Sequence, residues 1–117
     1  MHEFDIPRSI AEEASGKCKK EGILAGELFL ELGALSGYKS EPIEFFYEAI
    51  KKDYKELVES EIKIELKNGR AICNKCKKEF EIEDFWDIRC RECESRDFEV
   101  VGGEDVKLKR IKKWSKK

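Results

Sequence analysis

Four of the five cysteines form two close pairs, Cys73-Asn74-Lys75-Cys76 and Cys90-Arg91-Glu92-Cys93, with thirteen residues between the pairs. Two residues between cysteines let both thiolates of a knuckle reach one ion, and two knuckles complete a tetrahedral four-sulfur shell. The gap is slightly shorter than the usual zinc-ribbon range but long enough for a hairpin carrying Phe80 and Ile82. Four thiolates suit Zn²⁺ best, with iron as the rival. A site filled by four protein ligands leaves no open position for substrate, so its expected role is structural. Lys75, Lys77, Arg89 and Arg91 stand in and beside the knuckles, where they could offset the excess negative charge of four thiolates on one divalent ion. Few large apolar residues surround these cysteines, so metal binding should supply much of the local folding free energy.

The second chemical signal is Met1-His2-Glu3. His2 is the only histidine of the 117 residues. An α-amino group, the amide nitrogens of His2 and Glu3, an imidazole and the Glu3 carboxylate lie there within a few bonds of one another. Imidazole suits nickel, copper and zinc, and nitrogen-rich sites of tetragonal tendency favour Ni²⁺ or Cu²⁺. Taken alone, a match of three residues at a chain start is weak. The Met1 amine, the Glu3 amide and the His2 imidazole each close a short chelate ring with the His2 amide, so each must be cis to it. A square plane cannot grant that to all of them. A further ligand or a non-planar geometry is required, and such a site should exchange its metal readily.

These groups need a body to hold them. At 117 residues the chain fits one domain with a small appended module. Charged residues make up 43% and apolar residues 40%, a globular composition with a heavily charged surface. No apolar run reaches the ~18 residues of a membrane span, and Glu12, Glu13 and Lys17 interrupt any signal-like stretch. A cytoplasmic location is expected. In a reducing compartment paired cysteines are read as metal ligands rather than disulfides. Lys and Arg number 10 against 15 Asp and Glu in residues 1–69, 7 against 8 in 70–98, and 7 against 2 in 104–117. Only the C-terminal tail is basic.

Ile6, Ile10, Ala14 and Cys18 recur at helical spacing. With Asp5 as cap and Pro7 in the first turn, this predicts a helix over 6–21 ended by Gly22. Cys18 lies on the apolar stripe and reads as a buried small hydrophobe rather than a ligand. Leu28, Leu30 and Leu32 alternate with other residues, predicting a strand over 26–35. Ile43, Phe46, Tyr47 and Ile50 predict a second helix capped by Ser40. Ile62, Ile64 and Leu66 predict a strand ending at Asn68-Gly69, whereas 54–59 is ambiguous. Val106, Leu108 and Arg110 alternate as a third strand. The predicted fold is α+β, two helices packed on a three-stranded mixed sheet, with a zinc-ribbon module inserted. The expected division is residues 1–69 with 103–117 as an α/β nickel-binding domain, and 70–102 as the four-cysteine module.

Met1-His2-Glu3-Phe4, Glu31-Leu32-Gly33-Ala34-Leu35-Ser36-Gly37, the double Cys-x-x-Cys and Gly102-Gly103-Glu104 together resemble the HypA/HybF family of hydrogenase nickel-incorporation proteins. The resemblance spans about residues 1–111. It implies a nickel metallochaperone acting in maturation of nickel-iron hydrogenase and in some organisms of urease. It also implies transient Ni²⁺ at Met1, His2 and Glu3, and structural Zn²⁺ at Cys73, Cys76, Cys90 and Cys93. The partners it implies are the nickel-delivery GTPase called HypB and the hydrogenase large subunit. The chain departs from the family pattern in three places. Lys77 and Glu94 follow the knuckles where Gly is common, Lys52-Asp53-Tyr54-Lys55 replaces a shorter turn, and the Lys-rich end from Lys109 to Lys117 is extended.

The rival reading is a zinc-ribbon nucleic-acid-binding protein using the basic tail, Lys107 to Lys117, with Trp114 available to stack on a base. Against it, residues 1–69 are net negative and phosphate contacts would rest on the tail alone. An enzyme is not expected: there is no second histidine, no G-x-x-x-x-G-K-[ST] loop and no open metal position.

Overall fold

Residues 5–83 and 86–115 are described by the computed structural model. Helix α1 (Asp5–Glu21) leads through a three-residue link into strand β1 (Ala25–Gly33), followed by helix α2 (Ser40–Ile50), a 3-10 turn (Lys51–Asp53) and strand β2 (Glu61–Lys67). A second group of strands follows, β3 (Gly69–Cys73), β4 (Glu79–Ile82) and β5 (Phe98–Gly102), before β6 (Val106–Lys113) closes the chain.

The α+β architecture is the one expected from the hydrophobic periodicities. Strand β1 is central in the order β2-β1-β6. It pairs in parallel with β2, Leu30 beside Ile64, and antiparallel with β6, Leu30 beside Leu108. The parallel pair requires a crossover, and α2 supplies it. Both helices cover one face of this sheet. Ile10, Ala11, Ala14 and Cys18 of α1, Ile43, Tyr47 and Ile50 of α2, and Leu28, Leu30 and Leu32 of β1 form one buried core. Cys18 is fully buried in it, as its place in the stripe required.

Gly22 takes a left-handed φ of 68°, and the Ile23 amide donates to the Cys18 carbonyl at 3.0 Å, which ends α1 and turns the chain back. With so short a link, β1 runs antiparallel to α1. At about 1.5 Å per helical and 3.3 Å per strand residue the two elements are of similar length. Asp5 therefore lies at the end of the body where β1 finishes, which is also where the second sheet is attached.

Four sequence-based expectations are corrected. Ser40 is already helical; Lys39 occupies the cap position and no side chain caps the helix. Asp5 likewise stands inside α1 rather than before it. Leu66 is 63% exposed despite its apolar alternation with Ile62 and Ile64, because it lies on an outer strand, beside the buried Leu32 of the central one. The third strand also runs further than its alternation suggested. A register shift opposite Phe29 and Leu30 lets Ile111 face the core, and the displaced Arg110 guanidinium stacks 3.9 Å from the Phe29 ring centroid. The Trp114 amide then donates to the Leu24 carbonyl at 2.8 Å, so the tail through that residue is tied to the body.

The ambiguous stretch after α2 is held by buried polar contacts. Tyr47 and Ser60 share a hydroxyl hydrogen bond of 2.5 Å, and Ser60 donates to the Leu57 carbonyl at 2.6 Å. Burial pushes the Tyr47 phenol up to about 12, so it stays protonated. Ser15 of α1 donates to Glu56 at 3.0 Å. Burial opposes the Glu56 charge, but its own amide, the Ser15 hydroxyl, Lys19 and Lys55 together hold its carboxyl below the ordinary range. Among the described residues every buried side-chain nitrogen or oxygen has a hydrogen-bond partner.

The second sheet has the order β4-β3-β5 and is antiparallel throughout. It joins the first at a crossing of backbones. The Gly33 amide donates to the Asp105 carbonyl at 2.8 Å, the Leu35 amide to the Gly103 carbonyl at 2.7 Å, and the Ala34 amide to the Lys67 carbonyl at 2.7 Å. Gly103 has φ +86°, and a Cβ there would meet the Gly69 Cα at 2.5 Å and the Asn68 carbonyl oxygen at 2.7 Å. Both conformation and space demand glycine. Gly103→Ala is therefore expected to lower unfolding free energy by about 2 kcal/mol or more. By contrast Gly16→Ala, in α1 with open space around it, should raise it by up to ~1 kcal/mol. Urea titration of both variants tests this, and a neutral Gly103→Ala would refute the crowding argument.

Candidate metal centre

Cys73 ends β3, and the backbone then folds into a tight loop. The Cys73 amide donates to the Lys78 carbonyl and the Lys77 amide to the Cys73 carbonyl, each at 2.9 Å. The second knuckle repeats the pattern: Cys90 N–H to the Ser95 carbonyl, and Glu94 N–H to the Cys90 carbonyl, again at 2.9 Å. To close the loops, Lys77 and Glu94 adopt φ 68° and 64°, the left-handed values that the absence of Gly had made a concern. They are the positive-φ non-glycine residues among those described. The conformation costs each of them roughly 1–2 kcal/mol relative to an αR residue.

The two knuckles bring all four sulfurs within 4.8 Å of one another. Cys73 and Cys93 are 3.6 Å apart and Cys76 and Cys90 3.5 Å apart. These separations are far beyond the ~2.05 Å of a disulfide. They match the ~3.8 Å edge of a tetrahedron of sulfurs each ~2.3 Å from a central ion. Cys73 and Cys90 are buried against Ala71, Phe80 and Ile82, whereas Cys93 is exposed. The donor set and its spacing thus fit a single tetrahedral metal ion.

Charge at the cluster is handled differently from the expectation. Arg89 pairs with Asp87 at 2.5 Å and with Glu94 at 3.9 Å, and Arg91 pairs with Glu83. These arginines are engaged by carboxylates. Backbone amides serve instead. Lys75 and Cys76 N–H groups point to the Cys73 sulfur at 3.4 Å, and Glu92 N–H to Cys90 at 3.3 Å. The Cys76 amide above all holds the Cys73 thiol down at about 6, and the Cys93 amide lowers Cys90. Cys76 receives the Lys78 amide and Cys93 the Ser95 amide, yet burial and the neighbouring sulfurs leave both raised, Cys76 to about 11. An ion that binds all four sulfurs must displace the protons of those thiols that keep them.

Sequence reasoning missed the residues that brace the knuckles. Asn74 donates through its side-chain amide to Asp97 at 2.8 Å and through its backbone to the Asp97 carbonyl at 2.9 Å, linking the first knuckle to the strand after the second. Ser95 accepts the Asp97 amide at 3.1 Å. The preference of Asn, Asp and Ser for turns was the available signal. Met1, His2 and Glu3 lie outside the described residues.

The chain matches the family model described as hydrogenase/urease nickel incorporation, metallochaperone, HypA, over residues 1–113. It belongs to the HypA family. A hydrogenase maturation factor HypA of Geobacter metallireducens is 35% identical over 112 residues, covering 95% of this chain and 97% of the relative. One of Chlorobium luteolum is 31% identical, covering 95% and 94%. In three dimensions a solution structure of a HypA protein superposes with TM-score 0.77 at 15% identity, covering 99% of this chain and 98% of the other. The nickel metallochaperone HypA of Helicobacter pylori gives 0.72, also at 15% identity, covering 99% and 100%. At that identity the structures speak for the fold, which is the family's two-helix body with a four-cysteine module. The family is one of maturation factors and metallochaperones, and no described helix is long and apolar enough to cross a membrane.

Relief of the knuckle strain is measurable. Lys77→Gly and Glu94→Gly should each leave metal stoichiometry unchanged and stabilise the metal-loaded protein by up to ~1 kcal/mol. Thermal denaturation with added metal is the readout, and a loss of stability in both would contradict the strain. Removing the metal with a chelator should free the amides of residues 70–82 to exchange with deuterium while those of β1 stay protected. Equal loss in both sheets would mean that the cluster supports the whole chain.

Proposed function

We propose that this chain is a nickel metallochaperone that binds Ni²⁺ at Met1, His2 and Glu3 and delivers it during maturation of nickel-iron hydrogenase. The observation that carries the reading is the family match across residues 1–113, which includes the tip as well as the cysteines. The Cys73, Cys76, Cys90 and Cys93 sulfurs would hold a structural Zn²⁺. Zinc, which has no redox chemistry and no geometric preference of its own, accepts the tetrahedral thiolate set this module offers. Residues 1–69 with 103–117 form the nickel-binding domain in this proposal, and 70–102 the zinc module. The expected partners are a HypB-like GTPase and the hydrogenase large subunit, with urease a further target in the family's description. The protein acts as a carrier rather than an enzyme, in the cytoplasm.

Two physical features support the division of labour. A closed four-sulfur cluster offers cargo no ready way out, whereas a chelate at a chain start, strained away from a planar nitrogen set, exchanges easily. Helix α1 begins at Asp5 and its N-terminal end lies on the side of the body where the cysteine module attaches.

The nucleic-acid reading loses its main support. Lys107 and Lys109 pair with Glu31, and Lys112 with Glu27, at 3.2 to 3.9 Å, so three of the basic residues of β6 already face carboxylates of β1. The Lys109 contact, with Lys107 and Lys67 nearby, holds the Glu31 carboxyl below the ordinary range and keeps this pairing intact at neutral pH.

The test is nickel titration of untagged, zinc-loaded protein. One Ni²⁺ per chain is expected to bind, and His2→Ala or an N-terminal tag should abolish it while the zinc content stays at one. Binding should also weaken as pH falls through the imidazole pKa near ~6.5. Unchanged nickel stoichiometry in His2→Ala would overturn the tip as the site.

A further inference from the structure

The body sheet has two outer strands, β2 and β6, and among the described residues neither pairs on its outer side. An unpaired strand edge is a template for another strand. Their charges differ in kind. On β6 the charged residues are all basic, Lys107, Lys109, Arg110, Lys112 and Lys113. Two copies of β6 side by side would set like charges together. On β2 the charges alternate in sign along one face, Glu61, Lys63, Glu65 and Lys67, with side chains 45–68% exposed.

That order is self-complementary. In antiparallel pairing about a two-fold axis, residues must meet partners of the same sheet face, because a one-residue slip exchanges the faces. The axis must therefore pass through a residue. Centred on Lys63 or Glu65, it would oppose like charges. Centred on Ile64, it sets Glu61 against Lys67 and Lys63 against Glu65, twice each, and uses all four. Centred on Ile62 or Leu66, it uses only two of the four.

The opposite face agrees with the same register. Centring on Ile64 sets Leu66, 63% exposed, beside Ile62 of the other copy and Ile64, itself only part-buried, beside its equivalent. Lys63 pairs with Glu61 at 3.3 Å and Lys67 with Glu65 at 3.4 Å on their own strand, while Lys67 also lies 4.0 Å from Glu31 and Glu65 3.9 Å from Lys109, all contacts of little energy in solvent. Each β2 runs directly into its cysteine module, so antiparallel pairing sends the two modules to opposite ends of the joint sheet.

We propose that β2 of one chain pairs antiparallel with β2 of a second copy about Ile64, giving a two-fold dimer with one six-stranded sheet. The interface is isologous, and the same patch serves on both copies. It leaves the tetrathiolate cluster and the proposed nickel tip unpaired and holds whether or not the nickel reading is right.

Sedimentation equilibrium of untagged, zinc-loaded wild type should show a monomer–dimer equilibrium. Lys63→Glu turns two attractive cross-strand pairs into repulsive ones and should raise the dimer dissociation constant on the order of tenfold to a hundredfold. The fourfold inversion Glu61→Lys, Lys63→Glu, Glu65→Lys, Lys67→Glu restores complementarity with itself and should recover the dimer. Circular dichroism and zinc content of each variant show that it is folded. A wild type that stays monomeric at every concentration overturns the proposal and leaves the edge to a strand of another protein. So does a dimer indifferent to Lys63→Glu, which would use another face, or a folded fourfold variant that stays monomeric.

Discussion

Two stretches of backbone, residues 67–69 and 102–105, have to pass the end of β1 in a space that admits no side chain. Gly33, Gly69 and Gly103 meet there, and the amides of Gly33, Ala34 and Leu35 are satisfied by carbonyls of both stretches. Everything that distinguishes this chain from a plain two-helix sheet depends on that crossing. It lets a second sheet be inserted between β2 and β6 without disturbing their pairing to the central strand. It also pins the chain just before and just after the module beside the end of β1 through three main-chain hydrogen bonds. Leu35 packs onto the cysteine module's small core from the body's side of the crossing. Backbone bonds of this kind fix a direction while burying little, so the two cores remain separate clusters.

The cysteine module illustrates what happens when a core is too small. Ala71, Phe80 and Ile82, with Cys73 and Cys90, are its buried residues, and the Phe80 and Phe98 rings meet edge to face at 6.0 Å. A set of this size contributes only a few kcal/mol of burial. Against it stand two residues held at positive φ and a cluster of sulfurs that compete for protons. A bound ion offsets all three, because it links residues twenty positions apart and takes the charge that the amides only partly stabilise. The Lys77 and Glu94 conformations then follow as the cost of directing N–H groups at sulfur with whatever side chain the position carries.

What could be read in the sequence was what repeats. The period of the Leu residues in β1, the four-residue stripe of α1 and the paired Cys-x-x-Cys each carry their geometry in their spacing, and each was found in its place. Features that depend on a single contact were not legible. The α2 start lacks a side-chain cap although Ser40 suggested one, because the chain enters the helix from an extended Lys39 one residue earlier. Leu66 is exposed on an outer strand although its neighbour Leu32 on the central strand is buried, and the facing of Arg110 depends on one irregularity in register opposite β1. The role given to Arg89 and Arg91 failed for a related reason. Sequence proximity to the cysteines is no guide when Asp87, Glu83 and Glu94 are closer partners. The tip could be read only as chemistry, since Met1, His2 and Glu3 lie outside the described residues.

The charged outer face of the body sheet ties these observations together. Glu31, in the middle of β1, is 17% exposed at its side chain and has Lys67, Lys107 and Lys109 around it, one from β2 and two from β6. Glu27 takes Lys112. The excess of acid in the first half of the chain and that of base in its last strand therefore meet on one face of the body sheet. Strand β6 is needed to neutralise β1, and it can reach β1 only because the cysteine module returns the chain through Gly103. The module's position in the sequence, between the acidic strands and the basic one, thus has a consequence for the body. Glu31 and Glu27 meet most of their lysines only in the strand that follows the module, so the chain must pass through it before β1 finds those counter-charges.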